Sequence, residues 1–221
     1  MARPIKICKS YLILCEGRDA EGFLINYLNS KALKFDKRFS DEIQVFDFGG
    51  NDDLKVFLSN ITKVDGFENV TSLLIIRDAE LDKEKAISQI KSALGYSNIV
   101  MPKTPAEWMQ VNESLKIAYV LWPKCNSNPI NGTLEDLCMQ IIDDKDRENI
   151  TNSIQVFIND MKNNYERNYT HEFKAKLHTY MSVTEPFIGM KIGEASKANM
   201  FDWNSDKLMD LRKIIEEGFL E

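Results

Sequence analysis

Tyr11-Leu12-Ile13-Leu14-Cys15-Glu16-Gly17 and Ser72-Leu73-Leu74-Ile75-Ile76-Arg77-Asp78-Ala79-Glu80 are the stretches that decide the fold. Each is a short apolar run closed by a polar turn, the pattern of a strand buried on both faces. In an α/β sheet the ligand site lies beyond the carboxyl ends of such strands. Glu16, Asp78 and Glu80 are therefore expected to meet there. At about 4 Å and an effective dielectric near 20, two like charges repel by roughly 4 kcal/mol, so such a cluster needs protons or a cation. A hard divalent cation with oxygen ligands answers that need.

Outward from these stretches the chain alternates strand and helix. Asp19 to Ala32 carries Phe23, Leu24, Tyr27 and Leu28 at helical spacing. Ile43 to Phe48 alternates like a strand and stops at Gly49-Gly50, and Asn51 or Asp52 is a candidate cap for a helix through Lys63. After the strand that ends near Arg77, a helix runs from Lys83 to Leu94 and ends at Gly95. Residues 96–116, with Pro102 and Pro105, read as a loop. Lys116 to Trp122 is a fourth strand, halted by Pro123, and helices are expected over about 133–143, 146–165, 170–182 and 205–218. The fold class is α/β, a mainly parallel four-stranded sheet flanked by helices. Residues 1–143 form the α/β core and 144–221 a helical carboxy-terminal cap, since no Gly/Ser/Pro linker separates them.

With 221 residues, 43% hydrophobic and 28% charged, the chain has the make-up of an ordinary globular protein. Its net charge of -6 excludes an overall basic coat but not a local basic groove. Cys8, Cys15, Cys125 and Cys138 form no C-x-x-C pair, so neither a zinc site nor a disulfide framework is expected. Residues 1–6 lack the apolar core of a signal peptide, and no run is long enough to span a bilayer; a cytoplasmic protein with no membrane partner is the expectation.

Gly17 lets the chain turn sharply and leaves the Glu16 carboxylate at the mouth of the sheet, although an acid there also suits the start of the next helix. Glu135 and Asp136 sit in the first turn of a helix that Thr133 can cap; they serve that dipole or a metal. On helix 170–182, Phe173, Leu177 and Met181 form a core stripe, and His171, Lys174 and His178 lie on its flank. Tyr165, Arg167 and Tyr169 could stack on bases or contact a backbone, while Met161, Tyr165 and Tyr169 also suit a core stripe.

A hydrophobic strand ending in Glu-Gly, followed downstream by one ending in Asp-x-Asp, resembles the signature of Toprim domains, found in topoisomerases, primases, recombination proteins and OLD-type nucleases. Gly49-Gly50-Asn51-Asp52-Asp53-Leu54, Leu121-Trp122-Pro123, Gly132-Thr133-Leu134-Glu135-Asp136 and Lys174-Ala175-Lys176-Leu177-His178 resemble a small uncharacterised Toprim-related family over most of the length. The chain departs from the pattern twice. Glu80 replaces the second aspartate, and Ala20 stands where many relatives have an acid, flanked by Asp19 and Glu21.

The resemblance implies magnesium, with manganese as a substitute, held by Glu16, Asp78 and Glu80; Glu135 and Asp136 are further candidate ligands by their position, since strand four should end near the same sheet edge. It gives Glu16 proton transfer at the scissile phosphodiester and Lys174 contact with the phosphate. Gly17, Gly49, Gly50, Lys176 and His178 are candidate substrate-binding residues. The implied activity is a magnesium-dependent nuclease or related phosphodiester-processing enzyme on DNA or RNA. A non-catalytic nucleotide or nucleic-acid binding module and metal-dependent phosphate chemistry on a small molecule are the alternatives. No Walker motif supports an NTPase. DNA versus RNA, one metal or two, and the oligomeric state are not legible.

Overall fold

The computed structural model describes residues 5–30, 41–50 and 52–219. Its centre is a five-stranded sheet: β1 (Tyr11–Cys15), β2 (Ile43–Asp47), β3 (Ser72–Asp78), β4 (Met109–Gln110) and β5 (Lys116–Trp122) in the order β2-β1-β3-β5-β4. The four long strands are parallel, as expected for an α/β chain. The fifth, β4, is a two-residue antiparallel edge strand within the expected loop. Two residues carry no readable periodicity, so pairing with Ile117 and Lys116 is what defines it.

The registers bring the carboxyl ends to one edge. Cys15 is level with both Asp47 and Ile76, and Asp78 with Trp122. Because successive side chains leave a strand on opposite faces, each run feeds two cores. Leu12, Leu14, Leu73, Ile75 and Leu121 pack under α2 (Leu54–Ile61) and α3 (Lys83–Tyr96). Ile13, Cys15, Leu74, Ile76 and Trp122 pack on the other side. Fully burying each Leu or Ile contributes about 1.5–3 kcal/mol, which is why runs without polar alternation are stable here.

The second core joins the sheet to the rest of the chain. α1 (Arg18–Leu28) buries Phe23, Leu24 and Tyr27 there. α4 (Leu134–Gln140), α5 (Arg147–Tyr165), α6 (Glu172–Ser182), α7 (Ile192–Lys197) and α8 (Met209–Phe219) add Leu137, Ile158, Leu177, Ile192 and Ile215 to the same cluster. α7 is not anticipated by the sequence reading, because six residues are too few to show a period. It lies against α1 where two glycines meet: a Cβ on Gly22 would stand 2.8 Å from the Gly193 Cα. Asn26 of α1 closes the contact, its Nδ2 donating to the Gly193 carbonyl at 3.1 Å and to Ser196 Oγ at 2.8 Å.

Boundaries shift by a few residues elsewhere. α1 ends at Leu28, and the expected extension past Ser30, like the candidate cap Asn51, lies outside the described residues. On α6 the buried set is Lys176, Leu177, Tyr180 and Met181, whereas Phe173, expected in the core stripe, is 44% exposed. Among the described residues no helix is long and apolar enough to cross a membrane.

Candidate functional site

The chain leaves β1 through Gly17, whose φ of 84° is one that L side chains rarely adopt and glycine takes freely. Asp47, at the end of β2, fixes this turn. Its Oδ1 accepts hydrogen bonds from Gly17 N at 2.9 Å and Gly49 N at 2.7 Å, tying the loops after β1 and β2 together. Glu16 is held at the sheet edge by its backbone N–H, which donates to the Ile76 carbonyl at 3.2 Å.

Next to it β3 ends in Arg77 and Asp78. Arg77 is 1% exposed, and its Nε lies 3.4 Å from Glu16 Oε2. Asp78 points to the opposite face, where its Oδ1 accepts a hydrogen bond from Leu134 N, the first residue of α4, at 2.8 Å. Two residues on, Glu80 has a left-handed φ of 56° and exchanges two backbone hydrogen bonds of 2.8 Å with Gly132. This short bridge brings the Gly132–Asp136 segment to the ends of β1 and β3.

Glu16, Asp78, Glu80 and Glu135 then line one cavity of about 290 Å³ with Gly17, Gly49 and Gly50. Its acids are the deeper groups: the side chains of Glu135 and Glu16 are 7% and 10% exposed. Cations stand nearer the solvent, with Arg18 and Lys191 exposed and the Lys174 side chain 55% exposed. Lys174 Nζ reaches Glu135 Oε1 at 3.2 Å, and His171 Nδ1 lies 3.3 Å from Glu80 Oε2.

The electrostatics follow from burial and crowding. Burial pushes the Asp78 pKa well above the usual carboxylate value, and Glu135, Glu16 and Glu80 push it further. Burial also raises Glu16; Arg77 pulls the other way without cancelling it. Burial works against a charged Lys174, but Glu135, Asp78 and Glu80 together raise its pKa and keep it protonated.

The residues expected at the site divide into those the fold gathers and those it does not. Glu16, Asp78, Glu80, Lys174 and the three glycines share the cavity. Of the helix-start pair, Glu135 enters it, whereas Asp136 accepts hydrogen bonds from Thr133 N at 2.7 Å and Thr133 Oγ1 at 3.0 Å, capping α4. Lys176 is buried and pairs with Glu172 at 2.9 Å, and His178 is exposed farther along α6; neither lines the cavity. Of the acids beside Ala20, Asp19 lines it and Glu21 does not. Arg77, Asp47, His171, Arg18 and Lys191 are site residues the sequence reading passes over or assigns no role. Arg77 alone had a signal, a charge inside a run otherwise buried on both faces.

Whether these residues fit a metal ion depends on donors and spacing. The donors are hard carboxylate oxygens, and Glu16 Oε2 and Glu80 Oε2 are buried and accept no hydrogen bond within the described residues. The spacing is looser: among the described residues, no group of three or more His, Cys, Asp or Glu is arranged to hold a metal ion. The donor chemistry, though not the spacing, is that of a hard divalent cation; Glu16 faces Arg77, Glu135 faces Lys174 and Glu80 faces the His171 ring.

Comparison with known proteins gives one match. No curated protein and no solved structure matches the chain. A family described as a protein of unknown function, DUF3226, matches residues 10–220. Nearly the whole length is covered, so the chain belongs to the DUF3226 family.

Proposed function

We propose that the protein is a magnesium-dependent phosphodiester-processing enzyme, a nuclease acting on DNA or RNA, with the cavity at the carboxyl edge of the sheet as its active site. The observation that carries this reading is the layering of the cavity: buried Glu135 and half-buried Glu16, Asp78 and Glu80 below, exposed cations at the rim. A site that bound a bare phosphate would be built from Lys, Arg and backbone N–H groups, without a cluster of carboxylates beneath them. Acids suit phosphate chemistry when a metal ion reverses their sign. The resemblance of the strand-end acids to those of Toprim domains supports the same reading.

Glu16, Asp78, Glu80 and Glu135 would hold the metal, which when bound supplies charge neutralisation at the scissile phosphate. Manganese would substitute for magnesium. Lys174 would meet a phosphate oxygen, and Arg18 and Lys191 would draw the strand to the rim. Arg77 stays behind Glu16 and orients its carboxylate.

A second reading, a module that binds a nucleotide or nucleic-acid end without cutting it, is favoured by the pairing of the acids with Arg77, His171 and Lys174. Manganese titration together with a cleavage assay separates the two. At a hundredfold excess over the dissociation constant, binding contributes about 2.7 kcal/mol, a rise in melting temperature of roughly 5–10 °C for a chain of this size. The expected result is that rise, lost in Asp78→Asn, with manganese-stimulated cleavage of single-stranded or supercoiled nucleic acid lost in Glu16→Gln. A metal-dependent rise with no cleavage across DNA and RNA selects the binding module. An unchanged melting curve in protein stripped of metal removes the metal site.

A further inference from the structure

Glu80 belongs to three cavities. Besides the acidic one, a polar cavity of about 360 Å³ lies on the side of Arg77, Asp82 and Lys85. The third, of about 260 Å³, shares Glu80 and Lys174 with the acidic cavity but has a mostly apolar wall, including Leu81, Tyr169 and Phe173. Apart from Glu80, His171 and Lys174 at its border with the acidic cavity, its charged and amide groups are engaged. Asp136 caps α4, Asn131 Nδ2 donates to the Leu81 carbonyl at 2.7 Å, and Glu172 pairs with Lys162 and Lys176. What this slot offers a ligand is aromatic and aliphatic surface.

Phe173 is held in place from behind. The Lys176 ammonium lies 4.7 Å from its ring centroid and is itself fixed by Glu172 at 2.9 Å. Tyr169 is half-buried and packs against the core through one side. A partly exposed aromatic pair beside a lysine that borders a phosphate site is the arrangement a planar group linked to a phosphate requires.

On the phosphodiester reading above, we propose that this slot seats one unpaired nucleobase of a single strand whose neighbouring phosphate lies at Lys174 and the acidic cavity. A base in a duplex must first be unpaired and unstacked, at a cost in free energy, whereas a base in a single strand is free to turn in. The slot therefore sets the substrate class as single-stranded nucleic acid. Lys176 is a positioning residue, acting through Phe173.

Anisotropy of a labelled single-stranded oligonucleotide, with calcium in place of manganese to block cleavage, tests this. An abasic site is introduced at each position of the strand in turn. One position is expected to weaken binding to the wild-type protein about tenfold, within the range of a single base–aromatic stack. The same abasic strand should bind Phe173→Ala no worse than the intact strand does, and Tyr169→Phe should behave like wild type because the ring remains. Phe173 is 44% exposed, so Phe173→Ala is expected to fold, and an unchanged thermal melt checks it.

The proposal is overturned if no strand binds, if the abasic penalty is the same in Phe173→Ala, or if duplex binds as tightly as single strand. It is also overturned, in favour of a free nucleotide, if a nucleoside monophosphate competes as tightly as the strand. Manganese-dependent cleavage is scored separately. Cleavage with no abasic penalty discards the slot and keeps the nuclease, and an abasic penalty without cleavage does the reverse.

Discussion

Asp78 shows how a single side chain carries the tension of the site. Its ordinary value is 3.8, and in the fold its pKa is raised well above that, first by burial and then by Glu135, Glu16 and Glu80. The metal-free folded chain therefore holds this proton more tightly than the unfolded chain does. That contribution is fully present below the ordinary value and is lost as pH rises through the raised one. In chelator, the melting temperature is expected to fall as pH rises above the ordinary carboxylate value, and Asp78→Asn should flatten that slope. The substitution keeps the acceptor for Leu134 N and removes the charge, so it should raise the melting temperature near neutral pH by a few degrees. A variant that melts lower than wild type there would mean that Asp78 stabilises the fold as an anion. Glu16 shares the direction of shift, and Arg77 moderates it.

Among the elements, the α1–α7 contact is the most demanding. Gly22 and Gly193 bring two backbones together with no room for a methyl group. Gly22→Ala should cost about 1–3 kcal/mol through overpacking, a loss of roughly 2–10 °C in a thermal melt. A neutral result would show that α7 can move away from α1 without penalty. This contact also marks where sequence reading stops. β1, β3 and β5 were legible because buried runs closed by Glu16-Gly17, Asp78-Ala79-Glu80 and Pro123 carry their own punctuation. Four strand-end and loop features, Glu16, Asp78, Glu80 and Gly49-Gly50, were legible for the same reason. β4 and α7 were not, since two and six residues define no period and exist through their partners. Choosing Glu135 over Asp136 needed the α4 cap geometry, and Phe173 was misassigned because a helical stripe alone does not say which neighbour covers it. The pairing of Arg77 with Glu16 depends on register between strands, which no local pattern encodes.

At the scale of the whole molecule, a chain with net charge -6 presents a small cationic rim of Arg18, Lys174 and Lys191 over its acids. If the protein binds a single strand as proposed, that binding should depend only modestly on salt. Three phosphate contacts correspond to a slope of log K against log salt of about -2 for single strands, and Arg18→Ala or Lys191→Ala should each reduce it by about 0.7. A steep slope would point to a larger basic surface elsewhere. The bridge between Glu80 and Gly132 carries a further consequence. Glu80 keeps a backbone angle of 56° that favours glycine or asparagine, and its carboxylate adds to the charge crowding at Asp78. Replacing either acid by asparagine would relax the metal-free protein. Directed evolution under heat selection alone would thus favour clones that have lost these acids. Thermostable variants would have to be screened for metal binding at the site in every round.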